Sequence, residues 1–395
     1  MIVPEGLFGT TGTAYMFDRR QLIRAAMAAP LACALPARAL LTEARAATPP
    51  QDEATMVRFI AGLPKAEFHV HLEGTLEAEM KFALARRNGL KLPYADVAAM
   101  KRSYIYHDLP SFLKIYYDGM QVLLTEQDFY DLAYGYLGKA ASQNVLYAEM
   151  FFDPQEHLKR GVPIEAVIGG ITRARGDAAK RLGIESQLIL CFMRDLSAES
   201  AMEALDAALP YKDQLVGVGL DSDEKGNPPE KFAEHFAKAR AAGLHVTMHC
   251  DVNQENTLDH IRTALVDLKT ERIDHGGNIV QSPELVALAK SLGIAFTVCP
   301  TFSGRVMEGG QPINALRKML DAGLKVSVNS DDPAYMGSEY ITQVLIRAQK
   351  DSALTPAELV RIERNAFGTA WIPPAQRDGY LARLTAYAES WGVAA

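Results

Sequence analysis

Cysteine is scarce in this 395-residue chain, and the four present (Cys33, Cys191, Cys250 and Cys299) form no Cys-x-x-Cys pair. Their wide spacing argues against a disulfide framework or a structural zinc knuckle. There is no basic stripe either, and the formal charge is −7. A nucleic-acid polymer is therefore not an expected partner, although a nucleobase or nucleoside remains open. The extended apolar stretch from Ala25 to Leu41 is interrupted by Pro30 and Pro36, too short and too broken for a stable membrane span. Past Pro50 no low-complexity run, linker or charge block divides the chain.

What precedes Pro50 reads as a targeting segment. Asp18-Arg19-Arg20-Gln21-Leu22-Ile23 leads into the alanine-rich stretch, followed by Ala44-Arg45-Ala46 and Thr48-Pro49-Pro50. A basic pair, an apolar run, an A-x-A site and a proline-rich break in that order resemble a secretory signal peptide of the twin-arginine type. Residues 1–46 are thus expected to be the signal, with Met16 an alternative start. Residues 47–395 are expected to be a single domain, periplasmic or secreted. An alanine-rich helix with a chance arginine pair, on a cytoplasmic protein, is the alternative.

Eight short β-type runs follow: Ala66–Leu72, Val145–Asp153, Gln187–Asp195, Val216–Ser222, His245–Asp251, Arg272–Gly276, Ala295–Pro300 and Lys325–Asp331. Amphipathic segments lie between several of them, among them Pro229–Ala242, Asn256–Leu268, Pro283–Leu292 and Pro312–Ala322. Gly243, Gly293 and Gly323 sit where such helices should end. Strands alternating with helices predict a parallel α/β sheet. Eight units fit a (β/α)8 TIM barrel, and no glycine-rich phosphate fingerprint supports an open, doubly wound sheet. The longest gap, Glu73 to Asn144, is helical in pattern (Leu76–Asn88, Leu109–Leu123, Glu126–Ser142). It is expected as a helical insertion or lid over the barrel mouth.

Barrel chemistry sits at the C-terminal ends of strands. The first run ends in His69 and His71, the fifth in His249, the sixth in Asp274-His275 and the eighth in Asp331-Asp332. A strand's period of two puts His69 and His71 on one face, with Val70 opposite. Taken singly these are ordinary: a chance His-Val-His, a hydrogen-bonded core histidine, an Asp-Pro turn. Together, two imidazoles, a third from the fifth strand and a carboxylate from the eighth suit one catalytic divalent metal with an open water position.

With these motifs in view, the chain resembles the adenosine/adenine deaminase family. The signatures are Leu63-Pro64-Lys65-Ala66-Glu67-Phe68-His69-Val70-His71-Leu72-Glu73-Gly74-Thr75, Lys269-Thr270-Glu271-Arg272-Ile273-Asp274-His275-Gly276 and Ser327-Val328-Asn329-Ser330-Asp331-Asp332-Pro333. The resemblance runs from about Leu63 to Thr369. Phe151-Phe152-Asp153-Pro154-Gln155, Gly219-Leu220-Asp221-Ser222 with Gly226-Asn227-Pro228-Pro229, and Glu73 are closest to the adenine-deaminase branch. The resemblance implies one Zn²⁺ held by His69, His71, His249 and Asp331, and a small purine or related heterocycle as substrate. It implies that His275 positions or deprotonates the water and that hydroxide attacks C6 with release of ammonia. His71, Glu73, Asp221, Ser222 and Asp332 would contact the substrate, Asp332 through a purine ring nitrogen.

One position departs from the family pattern. A glutamate normally stands three residues after the fifth-strand histidine and protonates the ring; here Val252 stands there, within His249-Cys250-Asp251-Val252-Asn253-Gln254-Glu255. Three readings are open. Glu255 reaches the missing position and completes the catalytic set with His275 and Asp331; Asp251 substitutes; or the substrate needs less ring protonation than adenine. Other hydrolyses on the same barrel, of a non-purine aminated heterocycle or another C–N or ester bond, are the competing function. A barrel that binds a purine without turnover is the non-enzymatic one.

Overall fold

The computed structural model describes residues 49–250, 256–300 and 314–394. The expected signal segment therefore lies outside the described residues, as does Glu255. Among the described residues, no helix is long and apolar enough to cross a membrane.

Eight parallel strands form a (β/α)8 barrel: β1 Lys65–Glu67, β2 Val145–Phe152, β3 Glu185–Met193, β4 Gly217–Asp221, β5 in two segments (His245–Val246 and His249–Cys250), β6 Arg272–His275, β7 Ala295–Val298 and β8 Lys325–Val328. Each pairs in parallel with its sequence neighbour. The break in β5 marks a change of partner. Its first half pairs with β4 and its second with β6.

β1 is shorter than the expected Ala66–Leu72. Beyond Glu67 the ladder is interrupted, and the side-chain Oδ1 of Asn329 accepts from the amides of Phe68 (2.8 Å) and His69 (3.3 Å). Further along, Val70 bridges Asp331 and His71 bridges Phe151. The amides of His71 and Asp331 donate to the carbonyls of Asp331 (3.1 Å) and His69 (2.9 Å). The first and last strands are thereby joined at the residues that carry the chemistry.

The expected helices are present at nearby bounds, including Pro283–Leu292, Thr257–Val266 and Glu126–Ser142. Gly243, Gly293 and Gly323 adopt positive φ after their helices, as a left-handed C′ residue requires. The expected insertion after β1 comprises Ala78–Arg87, Val97–Arg102, Leu109–Gly119 and Glu126–Ser142. Val97–Arg102, capped by Asp96, is too short to give a periodic signal in the sequence.

Toward the N-terminal end of the barrel, Arg272 and Glu149 form a buried ion pair (2.7 Å), both at most 1% exposed. Glu149 also accepts from the Tyr147 hydroxyl (3.0 Å) and the Trp371 amide (2.8 Å). The Arg272 guanidinium lies 3.9 Å from the Trp371 ring centre. Removing one partner strands the other charge in a dry interior. Glu149→Gln is therefore expected to destabilise the fold by about 3–5 kcal/mol, read by chemical denaturation with the metal site intact.

Candidate metal centre and active site

The C-terminal strand ends bring four polar side chains to one point. His69 Nε2 lies 3.3 Å and His71 Nε2 3.5 Å from Asp331 Oδ1, while His71 Nε2 is 3.2 Å from His249 Nε2. Donor atoms about 2.0–2.2 Å from one ion lie roughly 2.8–3.8 Å apart across the angles of four- and five-coordinate sites. The observed spacings fall in that range. All four residues are buried, and His69 Nε2 and Asp331 Oδ2 have no hydrogen-bond partner among the described residues. Buried polar atoms of this kind are normally paired, so the set fits a divalent cation.

The sequence arranges the ligands through their outer partners. His69 Nδ1 contacts the hydroxyl (3.0 Å) and carbonyl (3.1 Å) of Thr297. The Thr297 hydroxyl in turn donates to Asp274 Oδ1 (2.8 Å). Its oxygen therefore accepts from His69 Nδ1–H, which leaves the Nε2 lone pair facing the ligand cluster. Asp274 Oδ2 accepts from the Thr247 hydroxyl (2.8 Å) and lies 3.5 Å from His249 Nδ1. Asp221 Oδ2 stands 3.5 Å from His71 Nδ1. One carboxylate thus orients two imidazoles and another the third. Asp274→Asn is expected to lower metal affinity about 10–100-fold, measured by competition with a chelator; unchanged affinity would remove Asp274 from this role.

The electrostatics of Asp331, Asp274 and His71 agree with the geometry. Burial opposes ionisation of Asp331, but His69, His275 and His71 outweigh it and hold its carboxyl well below the usual range. Asp274 is held low in the same way, burial being outweighed by His249, His69 and Arg272. Burial, then His249, pushes His71 well below its ordinary value, keeping it neutral as a ligand must be.

His275 stands beside this cluster, its Nε2 3.8 Å from Asp331 Oδ2 and its ring centre 4.4 Å from that of His69. His275, Asp331 and Ser222 all have left-handed φ values (61°, 63° and 71°). Such backbone is costly for residues other than glycine and concentrates at functional sites. Here it turns the chain at the strand end and presents the side chain at the barrel mouth.

A cavity opens above the cluster, lined by His71, Asp153, Asp221, Ser222, Asp332 and the metal-facing side chains, with the lid helix Leu109–Gly119 covering it. The lid contributes Phe112, Tyr116 and Tyr117. The Tyr117 hydroxyl and Ser222 Oγ are 2.7 Å apart, tying lid to barrel. Burial, then Asp331, pushes the Asp332 carboxyl up, and burial raises Asp221 to about 6.

The structure thus gathers His69, His71, His249, His275, Asp331, Asp332, Asp221 and Ser222 at one cavity. Glu73, expected at the substrate, is displaced from its wall. Its Oε1 accepts from His157 Nε2 (2.8 Å) and the Asp153 amide (3.2 Å), which draws the side chain behind the lining. Asp153, Tyr116 and Tyr117 line the cavity without having been assigned a role by sequence reasoning. Asp153 had a signal, since it ends the second strand run as His249 ends the fifth. The aromatic face of the lid had none, because its direction is set by tertiary packing.

A parallel eight-stranded barrel with a nitrogen-rich ligand set at its C-terminal face defines a metal-dependent hydrolase. The adenosine deaminase family model matches residues 64–387. An uncharacterised deaminase of Schizosaccharomyces pombe is 54% identical over 334 residues, covering 85% of this chain and 98% of that protein. The crystal structure of an adenine deaminase from Arthrobacter aurescens superposes with a TM-score of 0.79 at 38% identity, covering 83% and 99% of the two chains. A zinc-bound amidohydrolase from Burkholderia ambifaria gives 0.76 at 28% identity, covering 88% and 98%. The chain belongs to the adenosine deaminase family, on its adenine-deaminase branch, and is a hydrolase of C–N bonds in cyclic amidines.

Proposed function

We propose that this chain hydrolytically removes the amino group of an adenine-type purine, with one zinc ion held by His69, His71, His249 and Asp331. The observation that carries this reading is the convergence of three imidazole nitrogens and one carboxylate oxygen at the floor of a cavity lined by acids and aromatics. The zinc-bound relative supports the choice of metal.

A divalent ion bound there would lower the pKa of its water to about 7. His275, beside Asp331, holds the attacking water and takes up its proton. Asp332 hydrogen-bonds a purine ring nitrogen, and the Ser222–Tyr117 contact closes the lid over the ring. Glu255 supplies the ring proton that the Val252 position cannot. Water's oxygen bonds to C6, the C6–amino bond breaks as the amino group takes the proton held by His275 and departs as ammonia, and the C6 hydroxyl gives its remaining proton back to Glu255 to leave a carbonyl. Reading residues 1–46 as a twin-arginine export signal places the mature domain, residues 47–395, in the periplasm or outside the cell; the order of features in the sequence supports this.

Ammonia release from adenine, matched mole for mole by loss of substrate, tests the reaction. Chelator treatment is expected to abolish it and added Zn²⁺ to restore it. Full activity in the metal-stripped enzyme, or product without ammonia, would sink the reading and favour another hydrolysis on this barrel.

A further inference from the structure

The lid helix Leu109–Gly119 walls two cavities, one on each face. Phe112, Tyr116 and Tyr117 border the one above the metal ligands. Ile115, Asp118 and Gly119, spaced as one side of a helix, border a second cavity of ≈ 260 Å³ behind the lid. Lys81, on the helix Ala78–Arg87, lies deep in its wall, and Lys91 is exposed at its rim.

Lys81 is 2% exposed. Its Nζ donates to the hydroxyls of Tyr104 (2.9 Å) and Tyr335 (2.8 Å). An ammonium carries three N–H groups, so two are used. No carboxylate pairs with it among the described residues. Glu77, which acts on it from a distance, accepts instead from the hydroxyls of Ser338 (2.9 Å) and Tyr340 (3.0 Å). Burial accordingly pulls the Lys81 ammonium down to about 7, and Glu77 offsets only part of this. Buried charges are normally paired, and an anion in the cavity would supply the missing partner.

The remaining lining decides which anion fits. Asp118 is already matched by Lys114 (2.7 Å), and Lys91 adds a second positive charge. Leu92, Met100 and Ile115 are apolar. One ammonium among apolar walls suits a monoanion with an apolar body, whereas a dianion would leave charge unmatched. The volume is below the ≈ 300–1,000 Å³ usual for ligand pockets, which limits that body to about one ring.

We propose that this cavity is a second ligand site, taking a small aromatic or aliphatic carboxylic acid with its carboxylate seated on Lys81. The Tyr335 hydroxyl that Lys81 holds also contacts the Tyr116 carbonyl of the lid (3.3 Å). The Tyr335 amide donates to the Asp332 carbonyl (3.0 Å). Lys81 thus stands where the second cavity, the lid and the turn carrying Asp332 meet. The site stands independently of the deaminase reading.

Calorimetric titration of the full-length metal-loaded enzyme with benzoate, benzamide and inorganic phosphate tests this. One benzoate per chain is expected, with benzamide about 10–100-fold weaker, the worth of one charge-assisted hydrogen bond. Lys81→Met, apolar and of similar reach, is expected to weaken benzoate by a similar factor and to leave benzamide little changed. Leu92→Trp fills the cavity while keeping Lys81, and is expected to abolish binding of both. It carries the test if the Lys81 variant does not fold. Benzoate bound undiminished by these variants sits elsewhere, the metal included, and overturns the assignment. No benzoate binding at millimolar concentration overturns it too, as does equal affinity for benzamide. Phosphate bound in preference to benzoate overturns the ligand class.

Discussion

Asp331→Ala is expected to abolish turnover and to leave the purified enzyme without its metal. Asp331 is the anionic member of the ligand set, with one oxygen 3.3 and 3.5 Å from two imidazole nitrogens and the other 3.8 Å from His275. Its removal leaves neutral imidazoles converging on empty space, without the charge that favours a divalent cation there. Its backbone also bridges Val70, so alanine keeps the strand closure while removing only the carboxylate. The loss in kcat/KM should exceed the roughly 10⁴-fold that a single acid–base group supplies, because the ion that activates water goes with it. Elemental analysis and ammonia release on the same preparation decide the matter. A variant that keeps both its metal and its activity would contradict the ligand assignment.

His275→Gln is expected to separate the two functions that Asp331 joins. The imidazole lines the cavity and stands beside the carboxylate without being needed to complete a four-atom ligand set. Losing a positioned base typically costs about 10²–10⁴ in rate, so kcat should fall by that much while one metal per chain remains. Circular dichroism should be unchanged, since glutamine is polar and of comparable reach. If the metal disappears along with activity, His275 belongs among the ligands and the water-handling role passes elsewhere.

Much of this site could be read from the chain because its residues are local in sequence. His69 and His71 lie two apart at a strand end, and Asp331-Asp332 are adjacent after β8. Strand periodicity orients the histidine pair, and the left-handed turn at Asp331 brings both aspartates to the cavity. The barrel was legible for a similar reason, as the β–α units write their own patterns and several end at a glycine such as Gly293. Other parts depend on contacts across long stretches of chain. Asp274 acquires its meaning only from Thr247 and Thr297 on the flanking strands. Glu73 follows the His-Val-His segment closely, yet His157, distant in sequence, decides where its carboxylate goes. The lid helix reads as amphipathic, but nothing in its pattern tells whether Phe112 and Tyr116 face a core or a substrate.

The left-handed backbone at Ser222, His275 and Asp331 implies a division of labour along the barrel axis. At the mouth, three side-chain-bearing residues hold a conformation that glycine would adopt at less cost. At the opposite end, Arg272, Glu149 and Trp371 interlock through an ion pair, an amide hydrogen bond and a ring contact, none of them in the cavity lining. Laboratory selection for heat resistance alone should therefore erode the mouth first, trading reactive geometry for relaxed turns. Selection for altered substrates can draw on the robustness of the far end. The two ends of one barrel are in this sense separately evolvable.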